Sequence, residues 1–357
     1  MRGKVIPQTS MLTLRTPEQM VPAKHPLRRI KELADQTLKA MGPQFDVLYA
    51  STGRPSIPPE RLLKGQLLIA FYSVRSERLF CEELQYNMLY RWFLDMNLDE
   101  EAFDPTAWTR LRVALVEHEI GQAFLHQVVL RAKSLKLMSA EHFSVDGTLI
   151  EAWASMKSFQ KKDAPPKEPP DDPGNPSVDF HGEKRTNETH ESKTDPDARL
   201  MRKGRGKEAK LAFAAHVLME NRNGLIVDVQ VTKATGRAER EAALELLKTA
   251  KPPSKRATVA ADKGYDTAAF VEACRAMNVT PHVAATKHTT LDRRTTGTEG
   301  YSLSQRLRKR IEEVFGWGKT VGGIRKTRYR GRPRVALSFS FVAAAYNLLR
   351  VAKLSPA

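Results

Sequence analysis

Cysteine is nearly absent: among 357 residues only Cys81 and Cys274 carry a thiol. Standing 193 positions apart, they offer neither a disulfide framework nor a Cys-x-x-Cys zinc signature. Long apolar runs are missing too. The most apolar stretch, residues 336–349, contains Ser338, Ser340 and Asn347 and falls short of the ~20 residues a bilayer span needs. The opening residues, MRGKVIPQTSMLTLR, hold no apolar segment of the signal-peptide kind. A cytoplasmic protein without a membrane partner is expected. Negative charge is the remaining scarcity, with 41 acidic side chains against 58 basic ones and a formal net charge of +17. An excess of this size points to a polyanion. Nucleic acid is the better candidate, because neutralised phosphates release condensed counterions. An acidic membrane surface is disfavoured, since no basic amphipathic helix or lipidation motif stands out.

What is present is globular. Hydrophobic residues make up 41% and charged ones 28%, which excludes a disordered chain or a collagen, and the length suits about two domains. Residues 26–137 read as helix. Pro58-Pro59 opens one segment, Ser76 is a candidate N-cap, and Asp104-Pro105 opens a pattern running through Leu111, Leu115, Ile120, Phe124 and Val128. Near residue 142 the period changes. HFSVDGTLIEAW (142–153), LAFAAHVLME (211–220) and LIVDVQVT (225–232) read as strands, the last two joined across Asn223-Gly224, a strong hairpin signal. Then come a helix (237–248), a strand (256–265), a helix (267–277) capped by Asp266, a strand (280–285) and helical patterns over 303–319 and 337–353. Three antiparallel strands followed by parallel βαβ steps predict a mixed α/β sheet. The expected organisation is a helical N-terminal domain (1–137) and an α/β domain (138–357). Residues 165–176, PPKEPPDDPGNP, hold six of the 21 prolines, and 156–209 reads as a flexible insertion.

Two acids stand at strand-like positions beside glycines: Asp146 before Gly147, and Asp262 before Lys263-Gly264. On neighbouring strands their carboxylates would converge on a hard divalent cation, leaving coordination sites for phosphate; a lone turn Asp more often only caps its turn. A third acid, Glu312, lies in RLRKRIEEVFGWGK. From Arg306 to Arg334 there are eleven Lys or Arg, interrupted only by Glu312 and Glu313. Such acids either pair along the helix, Glu312 with Arg308 or Glu313 with Lys309, or hold a cation beside DNA. Gly318-Lys319-Thr320 is not a phosphate loop, because the glycine needed at 313 is Glu313.

The motifs FSVDGT, ADKGYD and KRIEEVFGWGKTVGG, in this order, resemble the DDE transposases of the insertion sequence 5 family over nearly the whole chain. The resemblance implies a ribonuclease-H-like mixed sheet as catalytic domain, preceded by an all-helical domain. It places the catalytic, metal-holding triad on Asp146, Asp262 and Glu312, at intervals of 116 and 50. The family's Tyr-x2-Arg-x3-Glu-x6-Lys signature is kept at Arg308, Glu312 and Lys319, while Gln305 occupies the tyrosine position. Glu312 is preferred to Glu313 because only it keeps both spacings. Asp266 is the rival of Asp262.

The resemblance further implies two Mg2+ (or Mn2+) ions per site, water attack at an element end, and attack of the freed 3′-hydroxyl on target DNA. DNA contacts are assigned to Arg308, Lys319, Arg325, Lys326, Arg328 and Arg330. The partners implied are terminal inverted repeats and target DNA, with a homodimer or larger assembly on DNA, in a bacterial, nucleoid-associated protein. End binding is assigned to the helical domain, by a helix-turn-helix-like pair around Arg91–Arg112, with dimerisation through apolar helices as the competing role. Trp317 either stacks on a base or belongs to the core. A ribonuclease-H-fold nuclease that does not rejoin, or a repressor with a dead site, are the alternatives.

Overall fold

A computed structural model describes residues 15–48, 56–162, 185–202, 208–251 and 254–355. Helices come first: α1 (Pro17–Met20), α2 (Leu27–Ala40), α3 (Gly42–Asp46), α4 (Pro59–Phe71), α5 (Glu77–Leu84), α6 (Met88–Phe93), α7 (Thr106–Glu117) and α8 (Ile120–Ser134). Their local causes are legible. In α2, Leu27, Ile30, Leu33, Ala34, Thr37 and Leu38 form one buried stripe at helical spacing. Pro59 opens α4 at the position where its missing N–H costs nothing. Ser76 caps α5, its hydroxyl accepting the Leu79 N–H at 3.0 Å. Asp104 accepts the Thr106 N–H at 2.7 Å where α7 begins. The continuous pattern from Leu111 to Val128 is two helices, because Glu119 takes φ +49° between them.

The strands are β1 (His142–Glu151), β2 (Phe159–Lys161), β3 (His190–Ser192), β4 (Arg199–Arg202), β5 (Ala209–Glu220), β6 (Ile226–Lys233), β7 (Ala257–Ala261) and β8 (Val279–Val283). The Asn223-Gly224 turn joins β5 to β6, with Gly224 at φ +66°. Central β5 is antiparallel to β1 and β6, while β1, β7 and β8 run parallel. The order β6-β5-β1-β7-β8 is the ribonuclease-H-like mixed sheet. Since β1 occupies one side of β5 over residues 212–220, β4 and β6 share the other side end to end. Part of the span that composition assigns to a flexible insertion is built into the fold: β4 extends the sheet, and β2 and β3 form a separate two-stranded ribbon. Residues 163–184, with the proline cluster, and the basic run 203–207 lie outside the described residues.

Helix α9 (Ala238–Ala250) follows β6, and α10 (Ala268–Ala276) links β7 to β8. These two helices cover one sheet face, packing with Phe143, Val145, Val259 and Val279. After β8 come α11 (Arg293–Thr296), α12 (Glu299–Leu307), a 3-10 turn over 308–310, α13 (Ile311–Thr320) and α14 (Arg332–Leu354). The opposite face shares a core with α13, α14 and the N-terminal helices. At 23 residues α14 is long and apolar enough to cross a membrane, more than the shorter apolar run suggests, yet 72% of its apolar window is buried inside the protein. Phe339, Phe341, Leu348 and Val351 are buried there, each worth about 1.5–3 kcal/mol of transfer free energy. Its buried Asn347 exchanges two 2.8 Å bonds with the backbone of Ile226, so no polar group on this core contact is orphaned.

Candidate active site

The two aspartates meet through strand register. In the parallel pair, Phe143 lies opposite Val259 and Ser144 opposite Ala260, where the ladder ends; the same register continued by two residues sets Asp146 against Asp262, whose charge acts on it. Neighbouring strands are ~4.8 Å apart, which puts both carboxylates at one place on the sheet. Asp146 projects to the face opposite Val145, the face on which α13 lies. Its Oδ1 accepts the Gly147 N–H at 2.8 Å, and Asp262 Oδ1 accepts the Gly264 N–H at 2.7 Å as the chain turns. Burial pushes the Asp146 carboxyl up to about 6; the Gly147 bond opposes this, Asp262 and Glu239 add to it, and Arg308 pulls back.

Helix α13 runs beside β1. The Lys319 ammonium donates to Thr148 Oγ1, two residues beyond Asp146 on the same strand face, and Arg308 acts on Asp146 from the helix's other end. Residues 308, 312 and 319 recur at about one and two helical turns, but Asp262, Glu239 and Arg308, not Glu312, are the charges that act most on Asp146. Glu312 is exposed and has no ion pair among the described residues, whereas Glu313 pairs with Arg350 of α14 at 3.8 Å. The two glutamates thus have different surroundings. Asp266 is also set apart from Asp262. It accepts from the Thr286 backbone and hydroxyl at 2.7 Å and from Thr289 at 2.9 Å. The N-cap of α10 is Thr267 instead, whose hydroxyl accepts from Phe270.

Among the assigned DNA-contacting residues, Arg325, Lys326 and Arg330 are exposed. Lys326 lies 3.5 Å from Glu151. The connector 325–327 is fixed along the end of β1: the Glu151 N–H donates to Arg325 O at 3.1 Å, and the Thr327 N–H donates to Glu151 O at 2.8 Å. Arg328 gives one nitrogen to Val74 O at 3.0 Å. Arg308 Nε is buried without a hydrogen-bond partner among the described residues, a donor with capacity to spare. Gln305, at the family's tyrosine position, donates to the His282 carbonyl on β8.

Two expectations from charge are corrected, and the core reading of Trp317 holds. Arg91 is buried and donates to the carbonyls of Asn97 and Glu100 at 2.8 and 2.7 Å. Arg112 pairs with Glu77 and lies 4.8 Å over the Tyr329 ring. Both hold helices together. Trp317 packs against the core, with its ring 5.7 Å from Tyr346, so the core role wins over base stacking.

One acid went unread in the sequence. Glu239, in the first turn of α9, lies against Gly147: a Cβ built on that glycine would stand 2.9 Å from Glu239 Oε1. A first-turn glutamate ordinarily complements the helix dipole, and no spacing marks it.

The donor chemistry suits a hard divalent cation. Carboxylate oxygens supply it, while both thiols are buried, with burial pushing Cys81 up to about 11 and Cys274 to about 12. Among the described residues no three such groups are gathered tightly enough to enclose an ion as they stand; like charges repel.

Two family models match the chain: "Transposase domain (DUF772)" over residues 15–114 and "Transposase DDE domain" over 178–348. The second includes Asp262 and Glu312 and begins after Asp146. No curated protein matches. Among solved structures, the chain is similar to the piggyBac transposase synaptic complex with hairpin DNA, at 10% identity and a TM-score of 0.45, covering 92% of this chain and 74% of that one. It is similar to the Mos1 strand transfer complex at 12% identity and a TM-score of 0.21, covering 82% and 86%. Likeness at these scores bears no weight here; the strand order and the family models do.

Proposed function

This chain belongs to the DDE transposases, enzymes that act on DNA with divalent metal, and from that premise we propose that Asp146, Asp262 and Glu312 are its catalytic carboxylates. Within the family, the motifs FSVDGT, ADKGYD and KRIEEVFGWGKTVGG support the insertion sequence 5 type. The observation that supports this reading most is the β1–β7 register, which continued by two residues sets Asp146 beside Asp262, whose charge acts on it. Two Mg2+ or Mn2+ ions held there would lower the pKa of the attacking hydroxyl and stabilise the departing 3′-oxygen.

The protein's own groups bind and orient. Asp146 and Asp262 would hold the cations from the sheet, and Glu312 would join them from α13. Arg308, with its unsatisfied Nε, and Lys319 flank the scissile phosphate, while Arg325, Lys326, Arg330 and the free nitrogen of Arg328 follow the strand beyond it. Water attack at phosphorus cleaves the P–O3′ bond and leaves a 3′-hydroxyl. That hydroxyl then attacks a target phosphate in the same site, one P–O bond forming as another breaks. Residues 1–137 bind the inverted repeats and pair protomers, since two ends must be joined, and the protein works at the nucleoid.

The test is metal-dependent cleavage and strand transfer on DNA carrying the element's own ends. Activity should require Mg2+ or Mn2+ and vanish in Asp146→Asn, Asp262→Asn and Glu312→Gln, with DNA binding retained. Undiminished cleavage in any one removes that residue from the site. Pre-cut ends that are never joined would mark a nuclease instead.

A further inference from the structure

Gly147 leaves a gap in the sheet beside Asp146. Its missing side chain would point to the face covered by α9, and the Glu239 carboxylate occupies that space, with Oε1 2.9 Å and Cδ 3.2 Å from where a Cβ would lie. The first turn of α9 is also tied to the turn after Asp262, because Arg240 donates to Gly264 O at 3.1 Å. We propose that Glu239 is a fourth carboxylate of the metal site, reaching Asp146 and Asp262 through the Gly147 gap from the sheet face opposite α13. The proposal rests on the reading of those two aspartates as metal-holding.

The surroundings agree. No ion pair to Glu239 forms among the described residues, and burial followed by the charge of Asp262 raises its carboxyl, with Arg240 opposing. The Tyr265 hydroxyl is raised first by burial, and the charges of Glu239, Asp146 and Asp262 add to this. Glu241, the other acid of that first turn, already serves the helix dipole. The chemistry implied is a more negative site that draws divalent cations before DNA supplies phosphate oxygens.

Mn2+ binding to the full-length, DNA-free protein, followed by loss of the free-ion paramagnetic resonance signal, tests this without reference to activity. Wild type should take up Mn2+, and Asp146→Asn and Asp262→Asn should lose it. Glu239→Gln should bind roughly 10- to 100-fold more weakly, and its metal-free melting temperature should hold or rise. Gly147→Ala keeps every charge but displaces the carboxylate, and should weaken uptake similarly. Wild-type affinity in Glu239→Gln, with the aspartate variants defective, overturns the proposal and leaves the function above intact. Wild-type affinity in the aspartate variants overturns both, and no uptake by wild type at millimolar Mn2+ overturns the proposal. A lower metal-free melting temperature in Glu239→Gln with unchanged uptake returns Glu239 to a helix-dipole role.

Discussion

In the N-terminal helices, buried Lys64 sits between Asp35, at 2.8 Å, and Asp95, and Lys31 closes the set at 2.7 Å to each aspartate. At the sheet, the charges of Asp262 and Glu239 add to the burial of Asp146, against a weaker pull from Arg308. The same chemistry gives opposite outcomes. Burial alone would raise Asp95, yet bonds from Lys31 and Lys64 hold it below the usual carboxylate range, while Asp146 is pushed up to about 6. A compensated cluster is architecture: it fixes how α2, α4 and the turn after α6 meet. A less compensated one costs the fold stability, and under the proposed function a divalent cation would offset that cost.

The largest effect that could break this contrast is on activity. Asp146→Asn should lower cleavage on the order of 10^3-fold or more, the several kcal/mol a metal site supplies, yet leave the melting temperature unchanged or raised, since a repelled carboxylate is neutralised. A marked loss of stability on that substitution would place Asp146 with Asp95, among the architectural charges. Lys64→Met should do the reverse, costing about 1.5–3 kcal/mol in denaturant unfolding by removing one of the two ammonium groups that Asp35 and Asp95 share, while surviving folded protein cleaves normally. A loss under 1 kcal/mol would deny that cluster its structural role.

Protons sharpen the same distinction. Burial lowers His216, centred on β5 and bonded to Thr232 at 2.8 Å, to about 4. Its unfolded value is near 6.5, so between about pH 6.5 and 4 the unfolded chain binds a proton that the folded one refuses. Stability must therefore fall as pH falls through that window, by up to about 3 kcal/mol. His216→Gln should flatten the acid limb of a melting-temperature profile; an unchanged limb assigns the acid sensitivity elsewhere.

Much of this was legible in the chain. The change from period 3.6 to alternation near residue 142 and the Asn223-Gly224 turn announced the strands, because sheet strands declare themselves locally. Asp146 and Asp262 could be singled out for the same reason: each sits at a strand position beside a glycine. Glu239 could not, since its significance arises only when α9 crosses the sheet at the one position of β1 without a side chain. Arg91 and Arg112 misled because charge carries no direction: a guanidinium that binds backbone carbonyls has the same letter as one that binds phosphate. The break at Glu119 hides because no glycine or proline marks a positive φ there.

The smallest effect falls on the exposed arginines of the connector. Arg325 and Arg330 are solvent-facing with no ion pair among the described residues, unlike Arg328, which is anchored on Val74. If both touch phosphate, Arg325→Ala with Arg330→Ala should make the log affinity against log salt slope shallower by about 1.8, near 0.9 per lost contact, while the melting temperature stays put. Arg328→Ala should instead lower stability, because it releases the connector from the N-terminal helices. A double variant with the wild-type salt slope would mean that the phosphate track bypasses 325–330, and that the DNA is gripped closer to Arg308 and Lys319.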